Sequence, residues 1–178
     1  FKLTDDLYIK MNARGKPLTS FENFKAKFEQ KVKLFDGQWP LYELKFSGKV
    51  KLVGGYEYLI HKIDTDWADV FWAYRNAFTT DDAFDDELMN CIALIIANYH
   101  LLHIGKDGEA LSAARDKLFG ESGKLEGLSF HDYDELGCFS QGLVVHFIEM
   151  MDLIQNGTVQ AGGIKPYLDG NAYYSEEE

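Results

Sequence analysis

Two histidines three residues apart are the first candidates for chemistry. His100 and His103 would lie near each other at the end of a helix, where both could reach one metal ion. Zinc sites use three or four ligands, however, and the neighbouring sequence offers no obvious third one. A histidine near the C-terminal end of a helix is also favoured by the helix dipole. The two histidines are therefore typical of the C-terminal end of a helix, and no metal ligand is predicted.

A glycine-rich stretch, Gly120 to Lys124, has part of the pattern of a phosphate-binding P-loop. A P-loop needs Gly-x-x-x-x-Gly-Lys-Ser/Thr after a strand, so that backbone N–H groups surround the phosphates and the hydroxyl holds Mg²⁺. Here Leu118 stands in place of the first glycine, Leu125 stands in place of the hydroxyl residue, and a helical pattern precedes the stretch. The sequence therefore predicts a loop between helices.

Other polar clusters also have structural interpretations. The run His131 to Glu135 follows Ser129 as the start of a helix should. Cys138 and His146 are two helical turns apart, which is too far for a Cys–His dyad within one regular helix. The acids around Trp67 in the run Asp64 to Asp69 join two apolar half-helices, and they are typical of a polar kink whose carboxylates cap the second half. No catalytic residue is predicted from these clusters.

The segment Leu7 to Glu22 is the most distinctive part of the chain. Its first five residues are typical of a strand, and Gly15 and Pro17 fit the loop that follows. Thr19 with Glu22 predicts a capping box at the start of a helix. A strand-to-helix connection explains Gly15, Pro17 and Thr19. It does not explain the amide of Asn12 or the two cations, Arg14 and Lys16.

This segment resembles the pattern hydrophobic-x-x-x-Asn-x-x-Gly-x-x-Leu-Ser/Thr-x-x-Glu of a large prokaryotic family. The family includes the GmrSD-type, modification-dependent restriction proteins and related anti-phage nucleases, and many members carry the label of a domain of unknown function. Ile63 to Trp72 is also similar to members of that family. The resemblance implies that residues 1–36 are a strand-loop-helix remnant of a ParB/sulfiredoxin-like N-terminal domain, and that residues 37–178 form a helical domain.

The family's catalytic motifs do not occur in this chain. Members carry Asp-Gly-Gln-Gln-Arg upstream of the Asn-x-x-Gly segment, whereas here Asp36-Gly37-Gln38 lies downstream and continues as Trp39-Pro40. The His-Asn-His nuclease domain of some relatives is also missing. The chain starts at Phe1, and we expect it to be part of a longer protein. Nucleotide hydrolysis with Mg²⁺ and DNA cleavage are expected of that parent protein; for this piece we expect no enzyme activity and no cofactor.

The resemblance also implies a site. Asn12, Arg14, Gly15 and Lys16 are expected at the rim of a nucleotide or phosphate site in the parent, completed by the rest of its polypeptide. Arg14 would provide a bidentate fork, Lys16 a point charge, and Asn12 a hydrogen bond to base, ribose or backbone. The helix N-terminus at Thr19 would add N–H groups. In the alternative interpretation, Arg14 pairs with an acid of the body, such as Asp5 or Asp6.

Hydrophobic periodicity predicts a mainly α protein: an irregular multi-helix bundle with a short N-terminal strand and one small hairpin near residues 44–53. The first helix carries an apolar stripe from Phe21 to Phe35. A long, apolar helix near 87–104 is expected to be central and buried. A helix follows near 109–119, and the last strong helix, near 139–155, is expected to end at Asn156-Gly157.

Charge and composition limit the choice of partners. The chain has 178 residues and a net charge of −11, divided into +5 for residues 1–62 and −16 for residues 63–178. An acidic body does not wrap nucleic acid by itself, so contact with DNA is expected only through the parent. Two isolated cysteines and the lack of a long apolar run predict a cytoplasmic chain without membrane contact.

These observations leave three hypotheses for function. The first is a non-catalytic helical portion of a GmrSD-like restriction or defence protein, supporting an NTPase/nuclease core or sensing modified DNA. The second is a protein–protein interaction module of unrelated function. The third, a self-contained hydrolase, requires a convergent polar cluster in a pocket.

Overall fold

The fold is known from a computed structural model. It describes residues 18–46, 48–72, 85–105, 107–120 and 123–161, without the side chains of residue 46 and of residues 158–161. The strand predicted at Leu7 to Met11 lies outside the described residues.

Helix α1, Ser20–Lys33, forms where the capping box predicts it. The Thr19 hydroxyl accepts a hydrogen bond from the Glu22 N–H, and the Glu22 carboxylate accepts one from the Thr19 N–H, each at 3.1 Å. Apolar residues at helical spacing then place one side of the helix in the core, with Phe28 and Val32 fully buried. Both the helix and its capping box are confirmed.

A two-stranded antiparallel hairpin follows, with β1 at Leu41–Phe46 and β2 at Lys49–Gly54. The register pairs Leu41 with Gly54 and Phe46 with Lys49, and the turn contains Gly48 at a φ of +78°, a conformation that suits glycine. Side chains alternate between the two faces of the hairpin. The predicted hairpin near residues 44–53 is thus confirmed, with β1 beginning slightly earlier.

The remaining helices form the body of the protein. They are α2 at Gly55–Ile63, α3 at Asp66–Trp72, α4 at Asp85–His103, α5 at Gly108–Phe119, α6 at Phe130–Glu135 and α7 at Gln141–Ala161. The break between α2 and α3 falls at Asp64 and Thr65, as the polar residues there predict.

The glycine at the start of α2 has a packing reason. The Trp39 ring lies against Gly55, and a Cβ at that position would approach the ring to 2.4 Å. Only glycine lets the aromatic ring contact the backbone where the hairpin passes into the helix. This contact positions the hairpin relative to α2.

One continuous hydrophobic cluster holds the helices together. Helix α4 packs against α1 and α7, and the rings of Phe24 and Phe28 in α1 lie 6.3 and 5.6 Å from the ring of Phe139. Phe147 in α7 contacts both Phe28 and Trp67, at centroid distances of 5.9 and 5.7 Å. The described part of segment 1–36 therefore shares its core with the helical body, and the domain division at residue 36 stays a prediction.

Two sequence predictions for the long helices are wrong in part. Helix α4 is buried on one side only, because Leu94 and Leu102 are 45% and 77% exposed. Helix α7 does not end at Asn156-Gly157 but continues to Ala161. Glycine within a helix costs only about 1 kcal/mol relative to alanine, and a long, well-packed helix can bear that cost and propagate further.

The predicted fold class is confirmed: the protein is mainly α-helical with one small hairpin. Across the described ranges, no helix is long and apolar enough to cross a bilayer.

Replacement of Phe28 tests whether α1 is part of the core. Phe28 is fully buried, so Phe28→Ala should lower the free energy of unfolding by about 3–5 kcal/mol. Leu34→Ala, at a position 77% exposed at the end of the same helix, is the control and should change it by no more than about 0.5 kcal/mol. Urea denaturation followed by circular dichroism measures both. Equal effects would show that α1 is not anchored in the core.

Candidate functional site

The predicted phosphate-site residues Asn12, Arg14, Gly15 and Lys16 lie outside the described residues, so their assignment stays a prediction. The described chain begins at Leu18, at the end of the Asn-x-x-Gly segment. What the structure provides is the attachment of this segment to the body.

Thr19 is the centre of that attachment. Its hydroxyl donates a hydrogen bond of 2.8 Å to the Asp85 carboxylate, in the first turn of α4, while accepting one from the Glu22 N–H. The Asn23 side chain donates to the backbone carbonyls of Leu18 and Thr19, at 3.3 and 3.1 Å. The last residues of the segment are therefore tied to both α1 and α4. Because these contacts occupy the Thr19 hydroxyl, its role is to position the chain.

The body next to this attachment is acidic. Asp85, Asp86 and Glu87 occupy the first turn of α4, where negative charge is favourable to the helix dipole. Partial burial raises the pKa of Glu87, and the neighbouring Asp86 raises it further. Carboxylates here repel a free anion, so positive potential for a phosphate would have to come from cations of the segment itself.

A second polar cluster, unlike the first, lies deep between helices. The Asp152 carboxylate in α7 accepts hydrogen bonds from the Tyr58 hydroxyl at 2.8 Å and from the Trp67 indole N–H at 3.0 Å. The Trp67 side chain is fully buried. Burial raises the pKa of Tyr58, and its hydrogen bond to Asp152 raises it further. Both donors are therefore directed at one carboxylate, which joins α2, α3 and α7.

Lys62 brings a buried cation to the same cluster. It is 7% exposed, and its ammonium group donates to Asp66 Oδ2 and Gln155 Oε1, each at 2.5 Å, with Asp152 Oδ1 at 3.7 Å. The hydrogen bond from Lys62 lowers the pKa of the Asp66 carboxyl against the opposing effect of its partial burial. The cation thus stands between two carboxylates, which compensate its removal from water.

This cluster, which we call the Asp152 network, is suited to structure rather than catalysis. Its hydrogen-bonding groups are directed at one another, and no nucleophile is presented to a cavity. The sequence drew attention to Asp66 and Trp67 but not to Tyr58, Lys62 or Asp152. An acid beside the apolar stripe of the last helix was the available indication that Asp152 has a buried partner.

A shallow groove lies on the other side of α2. It is open to solvent, with a volume of about 390 Å³, and it is lined by Tyr56, Glu57, Ile60, His61, Asp64 and Thr65. Asp64 is also the ion-pair partner of Lys25 in α1. A deep apolar pocket with convergent polar groups would indicate a small-molecule site, and this groove lacks that enclosure.

The two histidines of α4 differ in their surroundings. His103 Nδ1 lies 2.8 Å from the Tyr99 carbonyl oxygen, and its ring stacks on the Tyr99 ring at 3.9 Å. His100 Nε2 is buried and has no hydrogen-bond partner among the described residues. Burial lowers the pKa of His100. Within the described ranges, no three His, Cys, Asp or Glu side chains are arranged to hold a metal ion.

The remaining candidates have structural roles where they are described. Helix α5 ends at Phe119 with Gly120 as its C-cap, so a helix and not a strand precedes the P-loop-like stretch, as predicted; residues 121 and 122 lie outside the described ranges. Ser129 and Asp132 form the predicted cap of α6. Burial raises the pKa of the Cys138 thiol to about 11, which keeps it protonated and unreactive near neutral pH.

Comparison of the chain with protein-family models, with curated proteins and with solved structures found no match. Interpretation of the chain therefore depends on its own residues and their geometry.

Asp152→Ala tests the Asp152 network. The substitution leaves the Trp67 N–H and the Tyr58 hydroxyl without their acceptor, at about 1–3 kcal/mol for each buried group, so we expect a loss of about 2–4 kcal/mol in unfolding free energy. Glu149→Ala, an exposed position one turn earlier in α7, is the matched control and should cost no more than about 0.5 kcal/mol. Chemical denaturation measures both; a cost for Asp152→Ala no larger than that of the control would contradict the proposed role.

His100 should make stability depend on pH. Its folded-state pKa is lowered, so the unfolded chain binds the proton more readily, and stability should fall as pH drops through the unfolded value of about 6.5 towards the folded pKa. His100→Gln removes this titration and should flatten the stability curve between about pH 7.5 and 5.5. Thermal unfolding at a series of pH values measures the slope, and an unchanged slope in the variant would assign the effect to other groups.

Proposed function

We propose that this chain is the non-catalytic helical part of a GmrSD-like restriction or defence protein, and that it holds the Asn-x-x-Gly segment in place for an NTPase/nuclease core. The observation that carries the proposal is the attachment at Thr19. The segment that resembles the family continues directly into a capped helix, whose N-cap residue Thr19 also donates a hydrogen bond to Asp85 of α4.

The burial of α1 supports a positioning role. Phe21, Phe24, Phe28 and Val32 are all buried, and each such side chain contributes about 1.5–3 kcal/mol relative to exposure. Detaching α1 would lose most of this energy, so α1 is expected to move together with the body. The start of α1 is therefore a rigid point of attachment, which is what a binding loop requires from its scaffold.

Anion recognition in this proposal belongs to Arg14 and Lys16. The capping box already occupies the Glu22 N–H, and Asp85 adds a negative charge beside Thr19, so the start of α1 is a poorer anion site than an uncapped helix. A guanidinium can bind phosphate with two parallel hydrogen bonds, and an ammonium adds a compact charge. Asn12 and Gly15 would shape the loop that carries these two cations.

DNA and nucleotide belong to the parent in this proposal. Residues 63–178 carry a charge of −16, which opposes direct contact with a phosphate backbone. The nucleotide with its Mg²⁺, and DNA or its modified bases, would bind mainly to the core that precedes this chain. The role of the helical body is then to support that core or to take part in sensing modified DNA.

A second candidate function is a protein–protein interaction module without a link to restriction. It is favoured by Leu41, Val50 and Leu52, which are exposed together on one face of the hairpin. The full-length gene distinguishes the two candidates. Asp-Gly-Gln-Gln-Arg upstream of Phe1 supports the first, and its absence from the full gene supports the second.

The test of the proposal is Arg14→Ala combined with Lys16→Ala in the full-length parent. We expect nucleotide hydrolysis to fall at least tenfold with little change in thermal stability, because each charge-assisted hydrogen bond contributes about 1.5–3 kcal/mol and about 1.4 kcal/mol is a factor of ten. Lys27→Ala combined with Lys33→Ala removes the same charge from exposed positions of α1 and should leave hydrolysis unchanged.

Each possible result has a distinct meaning. Unchanged hydrolysis would show that Arg14 and Lys16 do not belong to the nucleotide or phosphate site. A loss of hydrolysis that parallels a loss of thermal stability would show that the segment only stabilises the fold, as in the alternative where Arg14 pairs with Asp5 or Asp6.

A further inference from the structure

The hairpin has an unusual edge. Strands β1 and β2 pair only with each other, and in the described part of the chain no third strand covers β1. Exposed edge strands offer unpaired N–H and C=O groups to another strand. The outer face of the hairpin adds apolar surface, with Leu41 69% exposed and Val50 and Leu52 each 59% exposed.

The charged residues of β1 and β2 show which of the two strand edges can accept another strand. Strand β1 has Glu43 and Lys45, both exposed, on either side of Leu44, and neither has an ion-pair partner among the described residues. Strand β2 has Lys49 and Lys51, which have the same sign. Lysines on an edge oppose pairing with another strand. The edge of β1 is therefore the one suited to accept a partner.

The pattern of β1 is self-complementary. In an antiparallel pair of two identical strands centred on Leu44, each Glu43 stands directly opposite Lys45 of the other copy. Opposite charges directly across an antiparallel pair stabilise it, and like charges destabilise it. A two-fold axis at Leu44 closes the contact after two copies, as an isologous interface requires.

We propose that β1 pairs antiparallel with β1 of a second copy of this chain, centred on Leu44, and joins the two hairpins into one four-stranded sheet. The partner is identified by charge complementarity: the strand that best matches β1 is β1 itself. This interface goes beyond the proposed function and does not depend on it.

The register of the hairpin explains why the new ion pairs would be shielded. Leu52 stands opposite Glu43, and Val50 stands opposite Lys45. Each row across the joined sheet therefore reads Leu52 and Glu43 from one copy, followed by Lys45 and Val50 from the other. The apolar side chains flank the ion pair and reduce its contact with water, which strengthens it relative to a fully exposed pair. The exposed side chains of Leu52 and Val50 would thus shield the ion pairs of the interface.

The interface would be small. A stable protein–protein interface buries about 800 Å² on each partner, and two paired strands of six residues with their side chains bury less. Main-chain hydrogen bonds between the strands would supply part of the affinity, as in other cases of strand addition. We therefore expect a reversible dimer that forms at micromolar concentration or above.

The experiment is sedimentation equilibrium of the chain and its charge variants over about 1 μM to 1 mM. The wild type should shift with concentration from a mass of 20.3 kDa towards twice that value. Glu43→Lys and Lys45→Glu each place like charges opposite one another and should weaken dimerisation at least tenfold. The double variant E43K/K45E exchanges the charges and should restore the dimer.

Lys49→Glu is the matched control, because it makes the same charge change as Lys45→Glu in the same hairpin but on the other strand. It should leave the dimer intact. Amide hydrogen exchange supplies a second readout: protection should increase with concentration in 41–46 more than in 49–54. The proposal is overturned if the wild-type protein stays at 20.3 kDa throughout the range. It is also overturned if the dimer is unaffected by the charge reversals; the β1 edge would then bind a different partner.

Discussion

The partly buried carboxylate of Asp152 accepts hydrogen bonds from two other elements at once. Tyr58 comes from α2 and Trp67 from α3, and both hydrogen bonds end on the same side chain of α7. Because Tyr58 and Trp67 are buried and their polar groups would be costly without this acceptor, the relative position of the three helices is strongly specified. The Tyr58 ring also stacks on Tyr42 of β1 at 4.7 Å, so the placement of the hairpin depends on the same carboxylate.

The apolar core supplies most of the stabilisation, but it specifies geometry less sharply. Phe28 and Phe147 are in edge-to-face contact, and Phe147 contacts Trp67 in the same manner. Aromatic contacts of this kind tolerate several arrangements of similar energy. Hydrogen bonds from Trp67 and Tyr58 to a single carboxylate do not, because their angles and distances are narrow. The buried network thus selects one packing among those that the aromatic residues allow.

Sequence patterns predicted the elements whose causes are local. Thr19 and Glu22 lie three residues apart, so the start of α1 could be inferred from spacing alone. The end of α7 could not, because packing along the helix outweighs the weak stop at Asn156-Gly157. The Asp152 network joins residues about 90 positions apart, and Lys62 in isolation resembles an ordinary solvated helix residue. Only the folded chain shows which long-range partners these groups have.

The β1 edge and the Thr19 attachment lie at opposite ends of α1. Lys25 pairs with Asp64 at the end of α2, while Trp39 packs on Gly55 at its start, so α2 runs antiparallel to α1. The hairpin, which enters α2 at Gly55, therefore lies away from Thr19. Helix α1 has 14 residues and spans about 21 Å, so pairing of two β1 edges would leave both Thr19 attachments uncovered. The proposed dimerisation through β1 and the proposed phosphate recognition are consequently compatible in one assembly, and a charge reversal at Glu43 should not disturb the start of α1.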